Sequence, residues 1–136
     1  MTSTSTSGEM SVPVSIGEVV DKITILEIKS ERLTDTDRLA NVRDELHQLR
    51  SAFDEQFPDS NPQLDELIAS LKAVNLALWQ IEDDIRDCER VKDFGDRFVH
   101  LARSVYQTND KRAAIKREIN LLLGSELIEE KSYAAY

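Results

Sequence analysis

Polar residues fall on the apolar stripes of three predicted helices, where a helix of a small protein normally buries hydrocarbon. At about 100° per residue, Glu27 lies in the same arc as Ile23 and Leu26. The residues placed in this way are Glu27, Asn75, Glu82, Arg86, Glu89, Asn109, Arg112 and Lys116. A buried charge costs several kcal/mol unless it is paired, so these groups must meet one another, water or a ligand.

The charges in this set balance one another, which predicts a structural layer of salt bridges between helices. Its acids are Glu27, Glu82 and Glu89, and its bases are Arg86, Arg112 and Lys116. Such a layer would fix the register of the helices, a role that buried polar groups often serve.

The alternative is a polar pocket between the helices, the usual position of a binding site in a bundle. Helical mutases of the chorismate type hold a dicarboxylate with Arg and Lys from several helices, and Arg50, Arg86, Arg112 and Lys116 could do the same here. Catalysis would then come from positioning and electrostatics, with Glu82 as a hydrogen-bonding partner. A filled core with paired charges would favour the structural layer, and a solvent-connected pocket lined by Arg86 and Arg112 would favour the ligand.

Other catalytic or metal-binding patterns are weak, and the sequence predicts neither a metal nor a cofactor. His47 and His100 do not follow a Glu at the spacing of di-iron bundles, so both are expected at the surface or rim. Glu18 and Asp21 lie one turn apart, as in Mg²⁺-dependent pyrophosphohydrolases, but Glu18 is expected to form a capping box with Ser15. The lone cysteine, Cys88, has no histidine at helical spacing and is expected to be an inert thiol.

The apolar periodicity predicts an all-α protein, an antiparallel bundle of two αα-hairpins with the second hairpin longer. Residues 1–10 are expected to be a disordered tail, and residues 11–136 a single helical domain. The predicted helices begin and end near 15–33, 37–57, 63–91 and 97–123, with Gly124 as a C-terminal cap and a break near Thr108–Asn109 left open. The last residues would form a short helical turn or an extended strap.

Composition narrows the partners and the compartment. The net charge of −9 disfavours binding to nucleic acid or to an anionic membrane. A single cysteine fits a reducing compartment, and no apolar run approaches the roughly 18 residues of a membrane span. The expected location is the cytoplasm.

Four segments of the chain are distinctive: "SVPVSIGEVVDKITILEIKSER", "LKAVNLALWQIEDDIRDCE", "LARSVYQTNDKRAAIKREIN" and the ending "LIEEKSY". On these segments the chain resembles a small bacterial and phage all-helical family of unknown function, and the resemblance covers nearly all of residues 11–133. The resemblance implies no established activity. As an alternative context, it suggests a link to cell-surface polysaccharide metabolism.

Apolar residues outside the main stripes predict a homodimer or higher oligomer. They are Ile25, Ile28, Leu76, Val99, Tyr106 and Leu121, and a four-helix monomer would leave them uncovered. Alternatively, the first helix is central and buried on both sides, for example beneath the C-terminal strap. The sequence therefore favours a non-enzymatic oligomeric interaction module, with a second copy or another protein as partner, over a small enzyme or binder of an anionic metabolite.

Overall fold

In a computed structural model, which describes residues 8–136, the chain forms a bundle of four helices and, in that range, contains no strand. The helices are α1 (Ile16–Arg32), α2 (Thr36–Gln56), α3 (Pro62–Arg90) and α4 (Asp96–Leu123). The predicted all-α class and the longer second hairpin are confirmed, since α3 and α4 contain 29 and 28 residues against 17 and 21 in α1 and α2. The first seven residues of the predicted tail, residues 1–10, lie outside the described range.

The helix boundaries follow from local hydrogen bonds that the sequence already encodes. The side chains of Ser15, Asp35 and Asn61 each accept a bond from a backbone N–H in the first turn of α1, α2 and α3. Gly124 ends α4 with a φ of +68°, a left-handed conformation that glycine adopts without strain. The break at Thr108–Asn109 does not occur, because α4 continues without interruption to Leu123.

The central element is α1, which packs against each of the other three helices, whereas the backbone of α2 approaches α1 alone. One apolar cluster joins Val20 of α1 to α3 and α4, and a second joins Ile23 and Leu26 to Val42 and Leu46 of α2. The prediction that Ile28 contributes to exposed apolar surface is wrong, because a central helix buries more than one face and Ile28 is fully buried. Ile25 is half-buried for the same reason.

The α3–α4 hairpin is antiparallel, since Asp84 and Cys88 meet Arg97 at one end while Leu64 and Leu71 pack with Ile119 at the other. We call residues 76–108, which form the connected end of this hairpin, the distal hairpin. It is about 20 Å long at about 1.5 Å per residue. Between residues 76 and 115, all of them described, Cys88 alone is buried.

After Gly124 the chain forms no further helix and returns along α4. Of the two predicted conformations, the structure has the extended one. We call residues 125–136 the strap. Its side chains Glu130 and Lys131 form ion pairs with Arg117 and Asp110 of α4 at 2.8 and 3.0 Å, and the ring of Tyr136 packs edge-on against Tyr106.

Candidate functional site

The centre of the polar site is Asp21, a fully buried carboxylate on α1. Its Oδ1 accepts hydrogen bonds from Asn75 Nδ2 of α3 and from Arg112 Nε of α4, both at 2.9 Å. Arg112 also donates from Nη2 to Asp21 Oδ2, so the guanidinium binds the carboxylate through two nitrogens. A single carboxylate therefore joins three helices.

The amide of Asn75 is fixed in orientation by a second acceptor. Its Nδ2 also donates to Thr24 Oγ1 at 2.9 Å, and Thr24 donates in turn to the backbone oxygen of Asp21 at 2.8 Å. Both N–H bonds of the amide are thus directed at α1. Asn75 was predicted to face inward, and it is buried as expected.

Lys116 of α4 is buried among carboxylates from two parts of the chain. Its Nζ lies 2.7 Å from Glu18 Oε2, 2.8 Å from Glu129 Oε1 of the strap and 3.9 Å from Asp21 Oδ2. Burial by itself lowers the pKa of Lys116. The hydrogen bonds to Glu129 and Glu18 and the charge of Asp21 together outweigh burial, and the pKa of Lys116 is raised above its usual value. The ammonium is held in its charged form.

Arg112 has its charge stabilised in the same way. The hydrogen bonds to Asp21 raise the pKa of its guanidinium further, against the opposing effect of burial. Its third nitrogen, Nη1, donates a long hydrogen bond of 3.5 Å to Asn109 Oδ1. Across the described residues, every buried side-chain nitrogen or oxygen has a hydrogen-bond partner.

Close contact between α1 and α4 brings these groups together. The backbone N–H of Gly17 donates to Asn120 Oδ1 at 2.6 Å, and a Cβ at Gly17 would lie 2.5 Å from the backbone oxygen of Lys116. Beside it, Ile16 N donates to Ser125 Oγ at 3.1 Å, which ties the start of the strap to α1. Only a glycine permits this approach of the two backbones.

Three of the residues predicted to face inward do not belong to this site. Glu82, Arg86 and Glu89 are exposed. Glu82 and Arg86 pair with each other along one face of α3 at 2.7 Å, and Glu89 pairs with Lys92 at 3.4 Å. The prediction was wrong because these residues lie in the distal hairpin, where hardly any side chain is buried and the inward arc of α3 is narrow. Nearer the start of α3, where α1 also packs, the inward arc is wider and includes Asn75.

Glu27 is only half-buried and lies apart from the Asp21 site. It pairs with Arg50 of α2, a residue that was predicted for the alternative ligand pocket and not for the salt-bridge layer. Asn109 is half-buried beside Arg112. Arg112 and Lys116 therefore reach the polar centre, whereas Glu27 and Arg50 form a separate pair.

Sequence reasoning missed the residues that organise the site, above all Asp21, Thr24 and Glu129. A signal for the α1 residues was present. Gly17, Asp21, Thr24 and Ile28 are spaced by four, three and four residues, which defines a second helical face, and all of them are buried. Glu18 was assigned to a capping box, but its carboxylate binds Lys116 while Ser15 alone caps the helix.

A solvent-connected pocket of about 370 Å³ lies between α4 and the strap. Arg112 and Lys116 are at its wall and Arg86 is not. The expected cation cluster is therefore only partly assembled. Within the described part of the chain, no group of three or more His, Cys, Asp or Glu side chains is arranged as metal ligands would be. His47 and His100 are exposed, as expected.

Comparison with known proteins gives a family but no activity. The model of a family described as "Family of unknown function (DUF6165)" matches residues 10–136. No curated protein and no solved structure matches the chain. A search of the described residues finds no helix with the length and apolar character required to cross a membrane.

Proposed function

The chain belongs to DUF6165, a family of unknown function, and from its geometry we propose that it is a non-enzymatic helical module that associates with a second copy of itself. The contact surface in this proposal is the distal hairpin. The polar site around Asp21 serves to lock α1, α3 and α4 in register.

The observation that carries the proposal is the incomplete burial of apolar side chains in the distal hairpin. Many large apolar residues of this segment are half-buried: Leu76, Leu78, Trp79, Ile81, Ile85, Phe98, Leu101 and Val105. Four more are exposed: Val91, Phe94, Val99 and Tyr106. Two helices cannot cover each other's apolar stripes on all sides, and large exposed apolar patches typically mark protein interfaces.

The charges at the edges of this surface support a second copy as the partner. Ion pairs within the distal hairpin join Glu82 to Arg86, Asp87 to Arg90 and Asp84 to Arg97. With its other charged residues included, the distal hairpin has seven acids and five bases, so each copy brings to the contact a net charge of −2 out of the −9 of the chain. A closed two-fold pairing of hairpins is the commonest symmetry for such a contact.

The pairing of the cations with carboxylates also supports a structural role for the polar site. It does not favour the alternative, in which free cations would bind and activate a dicarboxylate. Of the four cations in the mutase analogy, Arg50 binds Glu27 and Arg86 binds Glu82. Arg112 and Lys116 bind Asp21 and Glu18. The buried, unpaired Cys88 fits a reducing compartment, which supports a cytoplasmic location as part of this proposal.

Light scattering across a dilution series at micromolar concentration tests self-association. We expect a mass near twice the 15.5 kDa of one chain. The variant Val99→Asp places a charge in the distal hairpin and should give the monomer. Leu121→Asp is the matched control, because both side chains lie on α4 and are similarly exposed, at 52% and 61%. A single wild-type species of 15.5 kDa at every concentration would overturn the proposal.

A further inference from the structure

The pocket between α4 and the strap combines an apolar wall with a cationic one. Val105, Tyr106, Ala113 and Tyr133 supply the apolar surface. The charged residues that line the pocket are the cations Arg112, Lys116 and Lys131 and the acids Asp110 and Glu129. Glu18 and Asp21 contact Lys116 from α1, so the cations of the pocket are already balanced within the chain, and Glu129 is one of the carboxylates that balance them.

One carboxylate in the pocket does not belong to the helices. Glu18 and Asp21 reach Lys116 from α1, and both are fixed by the contact between α1 and α4. Glu129 reaches it from the strap, which has no secondary structure of its own. The carboxylate of Glu129 thus occupies a position on Lys116 that a carboxylate of another molecule could occupy.

We propose that this pocket binds a small aromatic carboxylate, whose carboxylate group replaces that of Glu129 at Lys116. The ligand's carboxylate would also face Nη1 of Arg112, whose one hydrogen bond within the described residues is the long one to Asn109. Its ring would lie against Tyr106, Tyr133 and Val105. A volume of about 370 Å³ is at the lower end of the range of small-molecule sites.

The side chain of Glu129 can leave Lys116 while the strap stays docked, because this side chain is 49% exposed. The neighbouring ion pairs of the strap, Glu130 with Arg117 and Lys131 with Asp110, and the packing of Tyr136 on Tyr106 do not involve Glu129 and can persist when it leaves. Displacement of Glu129 frees one hydrogen-bonding position on Lys116, while Glu18 and Asp21 remain next to it. Glu129 acts as a tethered competitor, which weakens the apparent affinity for a free carboxylate.

Removal of the Glu129 carboxylate therefore tests the proposal. Benzoate is the probe, and backbone NMR shifts of residues 105–116 in the full chain report binding. Glu129→Gln should bind benzoate about tenfold more tightly than wild type, the gain expected from loss of a tethered competitor. Glu130→Gln is the matched control, because its carboxylate is adjacent on the strap and pairs with Arg117 outside the pocket. Its affinity for benzoate should equal that of wild type.

Two results would overturn the proposal. One is equal affinity of Glu129→Gln and Glu130→Gln for benzoate. The other is an equal response to benzyl alcohol, which presents the same ring without the carboxylate. Lys116→Gln should abolish the benzoate shifts, and its circular dichroism spectrum first establishes that it folds. Should that variant fail to fold, the comparison between Glu129→Gln and Glu130→Gln still decides.

Discussion

Asp21 is the residue whose loss should affect the fold most. Its fully buried carboxylate balances Arg112 and accepts the amide of Asn75. We expect Asp21→Ala to lower the free energy of unfolding by about 3 kcal/mol. This is the lower end of the range for breaking a buried ion pair, because the Arg112 side chain, 29% exposed, keeps some access to water. Chemical denaturation measures the change.

Glu82→Ala tests an exposed ion pair, for comparison with the buried pair of Asp21. This glutamate also pairs with an arginine, but both side chains are exposed. Exposed pairs of this type stabilise little, so the free energy of unfolding should change by less than about 0.5 kcal/mol. A loss as large as that of Asp21→Ala would show that α3 buries this face.

Gly17 sets how closely α1 approaches α4. An alanine Cβ would lie 2.5 Å from the backbone oxygen of Lys116, so the helices must separate. Overpacking of this type costs about 1–3 kcal/mol, and the better helix propensity of alanine returns up to about 1 kcal/mol. Gly17→Ala should therefore destabilise the protein by about 1–2 kcal/mol in urea unfolding. Unchanged or increased stability would mean that the two backbones can separate without cost.

At the scale of elements, the strap should dock in a limited range of pH. The hydrogen bond from Tyr136 and the contact with Lys131 lower the pKa of Asp110 below its usual 3.8. The same bond to Asp110 raises the pKa of Tyr136 above its usual 10.0. Because docking lowers the pKa of Asp110, this carboxylate stabilises the docked strap above pH 3.8. The contribution is lost as the pH falls through the pKa that Asp110 has in the docked strap. A raised tyrosine pKa stabilises docking below pH 10.0, and this contribution is lost as the pH rises.

Proton NMR of the Tyr136 ring across this range measures strap docking. The ring packs edge-on against Tyr106 with centroids 5.0 Å apart, so its resonances should be shifted when docked and approach free-tyrosine positions at both extremes. Asp110→Asn should remove the acid transition, because an amide does not titrate. A transition that persists in this variant would assign it to another carboxylate.

For the whole molecule, self-association through the distal hairpin couples stability to concentration. An assembly that forms only from folded chains is stabilised by mass action, so its thermal midpoint should rise with protein concentration. Calorimetry over a hundredfold concentration range should show this rise for wild type and for Leu121→Asp. The midpoint of Val99→Asp should not depend on concentration. An equally constant wild-type midpoint would contradict the association.

The sequence by itself determined the elements of this protein, because their signals are local. Ser15 caps α1 and Gly124 ends α4, both at positions that the sequence analysis identified. Apolar spacing also identified the main stripe of α1, on which Ile23 and Leu26 are buried as expected. These features depend on residues a few positions apart, so no knowledge of the tertiary arrangement was needed.

Only the tertiary structure decided which polar residues meet. Asp21 and Arg112 are 91 positions apart, and their contact depends on α1 being central and close to α4 at Gly17. A helical wheel assigns one inward face to a whole helix, but burial depends on how many neighbours each segment has. Asn75 lies where α1 also packs on α3 and is buried, whereas Glu82, two turns farther on, lies in the distal hairpin and is exposed. The strap's Glu129 could not be placed at all, because the path of a segment without periodicity is set by the surface against which it packs.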